Sequence, residues 1–361
     1  MKKIKIGLLG LGRAGWGIAA AELRELTEKY EIVAACDIIE DRCVTMKEAF
    51  SCRTYNSIDE FLLDPEMELV YIATRSSDHL EHGLKALGAG KTVVMEKPVT
   101  CSYNDAKTLF DAANKLGKNK LFVHQQRRFE PTYQYIKKAV DSGKLGDVFE
   151  INLEQGSYQR RDDWQTINEF GGGQLLNWGP HLIDHSLQLL GTKCANITSY
   201  LQHTVAAGDC EDHLRIRFAG DNGRVVNTCI SGGLALGRGR YYEAIGTKGQ
   251  IIINNNQLKI KYIDPEQNLP APVANPKTPG EMAFGASGTF AVATAVKWIE
   301  EEYTLSEHEM SNAPLIVFWD YLYDTLINGS DFPVTDEDVL EIMRVISLAK
   351  AQSTYDLGEK K

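Results

Sequence analysis

The sequence predicts an α/β protein in which a doubly wound parallel sheet is followed by an α/β domain with an open, mainly antiparallel sheet. Three observations carry this expectation. Residues 1–124 alternate short apolar runs with amphipathic stretches, as β-α-β units do. Beyond about residue 142 the texture changes to segments in which polar and apolar residues take turns, which suits strands packed on one face. A chain of 361 residues, 43% of them hydrophobic, has enough apolar material for two domains. We place them at 1–124 and 125–361, with the C-terminal helix able to pack back on the first.

In chain order, the apolar runs 4–9, 32–36, 69–73, 92–95 and 121–124 read as buried parallel strands. Helices are expected between them at 14–29, 41–50, 77–89 and 102–116, the third closing on Gly88 and Gly90. A further helix follows near 131–142. Strands are then expected at 149–153, 213–218, 225–230, 241–245 and 251–253, with Asp221-Asn222-Gly223 as a hairpin turn. The Pro-, Asn- and Gly-rich stretch 263–288 reads as a surface loop, and helices at 312–328 and 336–352 close the fold.

A net charge of −10 with no basic block argues against nucleic acid as a partner. The seven cysteines form no C-x-x-C pair, so neither a disulfide framework nor a zinc site is expected, and free thiols point to the cytoplasm. The opening MKKIKIGLLGLG is interrupted by glycines and reads as a strand entering a turn, not as a signal peptide. No apolar stretch approaches the roughly 18–20 residues that cross a bilayer, so no membrane association is expected.

Gly10-Leu11-Gly12-Arg13-Ala14-Gly15 fits G-x-G-x-x-G, after an apolar strand and before an Ala-rich helix. In that setting Gly10 allows the tight turn, Gly12 lets a pyrophosphate approach the backbone, and Gly15 permits close helix packing, while the helix N-terminus attracts negative charge. The second strand ends at Asp37, whose carboxylate suits a ribose 2′-hydroxyl and repels a 2′-phosphate. NAD is therefore expected in preference to NADP, with Arg13 and Arg42 as the residues that argue the other way. The competing reading makes the glycines a bare turn and Asp37 a helix cap.

The fourth parallel strand runs into Glu96-Lys97-Pro98, at the edge where open α/β sheets hold their ligands. A partly desolvated Lys97 beside a cationic ring would have a lowered pKa and could exchange a proton with a substrate hydroxyl, with Glu96 pairing to it or holding the loop. The segment from Gly171 to His185, if helical, stacks Asn177, His181 and Asp184 or His185 on one face, with Pro180 bending it. His181 is then a second proton carrier. It could instead be a core histidine satisfied by Asp184, or a metal ligand with Asp184 and His185. We expect no metal, because no H-E-x-x-H and no further ligand is evident. Residues 158–164, among them Tyr158 and Trp164, could stack on and hydrogen-bond a sugar, or form an ordinary polar loop.

On these motifs, joined by Thr74 and His79 after the third strand and by Arg127-Arg128-Phe129, the chain resembles the Gfo/Idh/MocA oxidoreductases along nearly its whole length. This family is typified by glucose-fructose oxidoreductase and inositol 2-dehydrogenase. The resemblance implies a Rossmann domain, Lys97 and His181 at the nicotinamide, and a dimer or tetramer built through the second sheet. It adds Thr74, His79 and Glu96 to the cofactor site that holds Gly10, Gly12, Arg13, Ala14, Gly15, Asp37 and Lys97. Arg127, Asn177 and Asp184 are the candidate substrate-binding residues, with Tyr158 and Trp164 of the polar segment beside them. Relatives often carry Asp where this chain has Asn177, which puts a Lys-Asp-His relay in doubt and suits Asn177 to orienting a hydroxyl.

The expected activity is hydride transfer between NAD and a secondary alcohol of a sugar, cyclitol or sugar derivative, with Lys97 as acid/base and His181 assisting. Two alternatives stand beside it: redox-neutral glycosidase or lyase chemistry through a transient keto-sugar, and a cofactor-binding regulator without catalysis.

Overall fold

The computed structural model describes residues 2–271, 273, 276 and 295–353. Its first sheet contains β1 (Ile4–Leu9), β2 (Tyr30–Cys36), β3 (Arg53–Tyr55), β4 (Leu69–Ile72), β5 (Thr92–Glu96) and β6 (Leu121–His124). They lie in the order β3-β2-β1-β4-β5-β6, and every pair is parallel. The chain reverses direction across the sheet between β1 and β4, which opens a crevice at the carboxyl ends of those strands. Gly10, Asp37, Thr74 and Lys97 all follow such ends.

The helices come close to the expected bounds: α2 (Glu40–Phe50), α4 (His79–Gly88), α5 (Tyr103–Lys115) and α6 (Pro131–Asp141), with α3 (Ile58–Leu62) as a short extra turn. Ser102 caps α5 by accepting from the Asp105 amide, and Pro131 begins α6, where its missing N–H is no loss. The first helix is shorter than expected. It starts as a π turn over Gly15–Ala20, with the Ala19 amide reaching the Ala14 carbonyl, and continues as α1 only over Ala21–Arg24. Tight turns over 25–29 then lead into β2.

The second sheet holds β7 (Val148–Tyr158), β8 (Cys194–Gln202), β9 (His213–Gly220), β10 (Val225–Ser231), β11 (Gly233–Gly246), β12 (Gly249–Asn254), β13 (Gln257–Ile263) and β14 (Trp298–Thr304). Its order is β14-β13-β12-β11-β7-β10-β9-β8, antiparallel except where β10 runs parallel to β7. Asp221-Asn222-Gly223 joins β9 to β10, with Gly220 and Arg224 closing the hairpin. Burial alternates along β9 and β13, so one face of the sheet is packed and the other open. On the packed face lie α6 and α8 (Gly179–Leu190), and α11 (Asp336–Gln352). β3, β8, β13 and β14 were not expected. Most of the anticipated 263–288 loop lies outside the described residues.

α10 (Val317–Asn328) leaves the second sheet and packs on the first. Phe318, Trp319, Leu322 and Tyr323 are buried in the same core as Ile4, Ile6, Tyr30 and Tyr71. Each such side chain contributes roughly 1.5–3 kcal/mol on full burial. Tyr30 donates to the Trp319 carbonyl at 2.6 Å and Tyr323 to that of Lys2 at 2.8 Å. The penultimate helix thus returns to the first sheet, and α11 meets the first domain through α5 while also packing on α8.

Candidate active site

The glycine loop after β1 has the shape of a phosphate cradle. Gly10 sits at φ +87, where a Cβ would meet the Ala73 carbonyl oxygen at 2.6 Å, and a Cβ on Gly15 would strike the Gly10 carbonyl oxygen at 1.9 Å. Gly12 is different: a Cβ there would meet nothing nearer than an Arg42 nitrogen at 3.8 Å. Protein packing does not require that glycine, and the space it leaves fits a pyrophosphate approaching the helix N-terminus. Ala14 is the N-cap of that helix, and Arg13 is exposed beside it.

Asp37 is buried at the end of β2. Its Oδ2 accepts from the Leu11 amide at 2.7 Å and from Arg42 Nη1 at 3.2 Å, and its Oδ1 from the Ile39 amide at 2.9 Å. The carboxylate therefore also ties the second strand to the glycine loop. Of the two arginines that argued for NADP, Arg42 is the one drawn against it.

Glu96 and Lys97 part company at the end of β5. Glu96 is buried, accepting from Tyr71 Oη at 2.5 Å, His124 Nδ1 at 2.8 Å and the Lys97 amide at 3.1 Å. Burial works to raise its pKa, but bonding and charge from His124, with the Lys97 charge, hold it down at about 2. Lys97 turns the other way, and its Nζ donates to the carbonyl oxygen of Asn177 at 3.1 Å. Burial pulls the amine below the ordinary lysine range; Glu96 resists, and Arg127, Arg13 and Arg161 add to the pull. His79 donates from Nδ1 to the Pro98 carbonyl at 2.8 Å, with Nε2 3.3 Å from that of Thr74, so it pins two loops together. The Thr74 hydroxyl lies 3.0 Å from His82 Nδ1.

The glycine-rich segment reaches Lys97 because side chains would block it. A Cβ on Gly171 would meet Cys101 Sγ at 2.5 Å, and one on Gly173 would meet Glu211 Oε1 at 2.3 Å. One helical turn, α7 (Gln174–Asn177), is followed by a break at Trp178 and then by α8. Pro180 has no N–H to continue the ladder, and the His181 amide bonds the Trp178 carbonyl at 3.1 Å instead of that of Asn177. This leaves the Asn177 carbonyl for the lysine.

His181 is buried one turn further on, edge-on to Trp178, which also carries the Arg127 guanidinium 4.5 Å above its ring. Its Nδ1 has no hydrogen-bond partner among the described residues. Burial, then the charges of Lys97 and Arg127, push its pKa well down, so the imidazole is neutral.

Some expected site residues are elsewhere. Asp184 does not face the cleft: its two oxygens receive Arg128 Nε at 2.9 Å and Nη2, forming a buried ion pair that Asp338 extends at 3.0 Å. It neither satisfies His181 nor remains free for a substrate. His185 bonds Tyr242 and the Arg127 carbonyl, with its ring stacked on Tyr133, so the proposed His181-Asp184-His185 ligand set is not assembled. Arg127 pairs with Glu130 at 2.8 Å. In the 158–164 stretch, Tyr158 ends β7 with its ring exposed and Trp164 starts a short turn. Gln159 and Arg161, with Gln165, line the small cavity beside Asn177. Charge and proximity in the sequence marked this segment, but only the fold selects Arg161 within it.

Residues 4–125 match the oxidoreductase family with the NAD-binding Rossmann fold, and 133–252 match the GFO/IDH/MocA C-terminal domain. An uncharacterized oxidoreductase of Schizosaccharomyces pombe is 32% identical over 310 residues, covering 81% of this chain and 79% of that protein. The scyllo-inositol 2-dehydrogenase (NADP(+)) of Bacillus subtilis is 26% identical, covering 97% and 94%. In fold the chain is similar to the WlbA dehydrogenase from Bordetella pertussis, whose structure holds NADH and UDP-GlcNAcA, at a TM-score of 0.75 and 18% identity over 97% and 96% of the two chains. The chain belongs to the GFO/IDH/MocA family of NAD-binding oxidoreductases.

Proposed function

We propose that the protein is a dehydrogenase that oxidises or forms a secondary alcohol on a sugar, cyclitol or related polyol. The observation that carries this reading is the meeting of the Lys97 amine with the segment that bears Asn177 and His181. NAD, when bound, supplies the hydride acceptor or donor. In oxidation the neutral Lys97 amine takes the substrate hydroxyl proton as hydride leaves the carbon, and in reduction the ammonium returns it. Neutral His181 holds the same hydroxyl by a hydrogen bond. The Asn177 amide and Arg161 orient neighbouring hydroxyls.

Gly12 gives room for the pyrophosphate, Asp37 reads the adenosine ribose, and Thr74 and Glu96 shape the nicotinamide end. The names of relatives favour a cyclitol or sugar: one is an inositol dehydrogenase, and a structural neighbour was captured with a nucleotide sugar acid. Residues 1–124 would then form the cofactor half and 125–361 the substrate half. We further propose assembly of two or four copies through the open face of the second sheet, and a cytoplasmic location. All seven cysteines are unpaired, and among the described residues no helix is long and apolar enough to cross a membrane.

The test is incubation of pure protein with NAD or NADP and a panel of sugars, inositols, sugar acids and disaccharides, following the reduced cofactor. Accumulation of NADH with one substrate class supports net dehydrogenation. Conversion of a disaccharide without NADH would replace it by the redox-neutral route, and no conversion of any kind would leave a cofactor-binding regulator.

A further inference from the structure

Behind Lys97 lies a buried polar chain that, Glu96 apart, the proposed chemistry does not use. His124, at the end of β6, is fully buried. Its Nδ1 donates to Glu96 Oε1 at 2.8 Å, and its Nε2 lies 3.6 Å from Glu22 Oε2 in the first helix. That same Glu22 oxygen receives the indole Nε1 of Trp319 at 2.7 Å. Carboxyl groups so deeply buried are rare unless paired, and here two of them bracket one imidazole. The Glu96 oxygen that His124 does not occupy accepts the backbone amide of Lys97.

The groups facing the His124 ring are Glu96 from β5, Lys97 just after it, Tyr71 from β4, Glu22 from the first helix, and the rings of Phe318 and Trp319 from α10. Burial alone would discharge the ring, but the bond and charge of Glu96, with the charge of Glu22, outweigh it and lift its pKa above the ordinary histidine value. Glu22 moves up in turn, chiefly through its own burial. The arrangement places an imidazole whose charged form is favoured by two carboxyl groups on the far side of Glu96 from the peptide that carries the Lys97 side chain.

We propose that His124, clasped between Glu96 and Glu22, is a positioning residue for the Lys97 amine, and that Trp319 makes the penultimate helix part of the same clamp. Without His124, Glu96 would be a buried carboxylate held only by Tyr71 and one peptide N–H, and the turn that aims Lys97 would lose its anchor. In its charged form, which Glu96 and Glu22 favour, the ring opposes protonation of Lys97 and helps keep the amine in the form that accepts a proton. This inference rests on Lys97 being the acid/base, so its test has a readout that needs no turnover.

In cofactor-free full-length protein, the pH dependence of acetic anhydride labelling at Lys97, followed by peptide mass spectrometry, reads the amine directly. His124→Asn keeps an N–H donor close to the Nδ1 position but removes the charge, whereas His124→Leu removes both. The labelling midpoint should rise by about half a pH unit or more in His124→Asn. In His124→Leu, kcat should fall by about tenfold or more with NAD affinity unchanged, and His124→Asn should recover most of it at high pH. An unchanged midpoint in His124→Asn overturns the proposal, and so does wild-type kcat in His124→Leu. If His124→Leu does not fold, the His124→Asn midpoint decides alone. A merely structural histidine would lower thermal stability in both variants and leave the midpoint where it is. If instead the midpoint moves but Lys97→Ala retains full activity, the clamp stands and the catalytic reading of Lys97 fails.

Discussion

The amine of Lys97 donates to the backbone carbonyl of Asn177, 3.1 Å away, although the two residues are eighty positions apart. The His181 amide bonds the Trp178 carbonyl and leaves that of Asn177 without its helical partner, and the glycines before it let the segment approach. The partner is a main-chain atom, so the lysine is held whatever side chain stands at 177.

Asn177→Ala should therefore leave kcat within about threefold and raise the substrate KM by up to about tenfold, the worth of one lost hydrogen bond. Steady-state kinetics with the best substrate of the panel check this. A collapse of kcat at unchanged KM would make the side chain part of the proton path.

The pH dependence has a definite sign. Burial lowers the Lys97 pKa, with Arg127, Arg13 and Arg161 assisting against Glu96, so the neutral amine is present at pH values below the ordinary lysine value of 10.5. Alcohol oxidation should rise with pH through that lowered value and then level off, while ketone reduction falls over the same range. His181, already neutral, should add no limb near its ordinary 6.5. Profiles of kcat/KM in both directions test this, and an oxidation rate that declines as pH rises through the limb would contradict it.

Cofactor choice should turn on Asp37. With the carboxylate gone, Arg42, now 3.2 Å from it, is released to meet a 2′-phosphate. Asp37→Ser should shift the ratio of kcat/KM for NAD over NADP toward NADP by about 10–100-fold, the scale of a charge-assisted hydrogen bond. An unchanged ratio would mean that another group reads the ribose.

Asp184 should matter for folding and not for substrate. Asp184→Ala strands a buried guanidinium and should cost about 3 kcal/mol in chemical denaturation, with KM unchanged in the fraction that folds. A higher KM at wild-type stability would return Asp184 to the substrate.

Five strands of the parallel sheet, the turn of the glycine loop and the placement of Asp37 and Lys97 just past strand ends were legible because each depends on local order. The second sheet was only partly legible. β13 (QLKIKYI) alternates clearly and was still missed, β14 (WIEEEYT) is an exposed edge strand without an apolar face, and β8 (CANITSYLQ) buries Cys194, Ile197 and Leu201 at irregular intervals. Asp184 misled because helical spacing shows which residues share a face and not that Arg128, from a loop over fifty residues earlier, claims it. The pairing of His124 with Glu22 and Trp319 joins a strand and two helices almost three hundred residues apart, and no local pattern announces it.

The proposed chemistry depends on the Lys97 amine and the His181 imidazole converging on one substrate hydroxyl. A crystal structure of the protein with NAD and a polyol that it turns over tests this most directly. Both nitrogens are expected within about 3.2 Å of the oxygen whose carbon faces C4 of the nicotinamide. A complex in which the amine stays on the Asn177 carbonyl and another side chain meets that oxygen would contradict it.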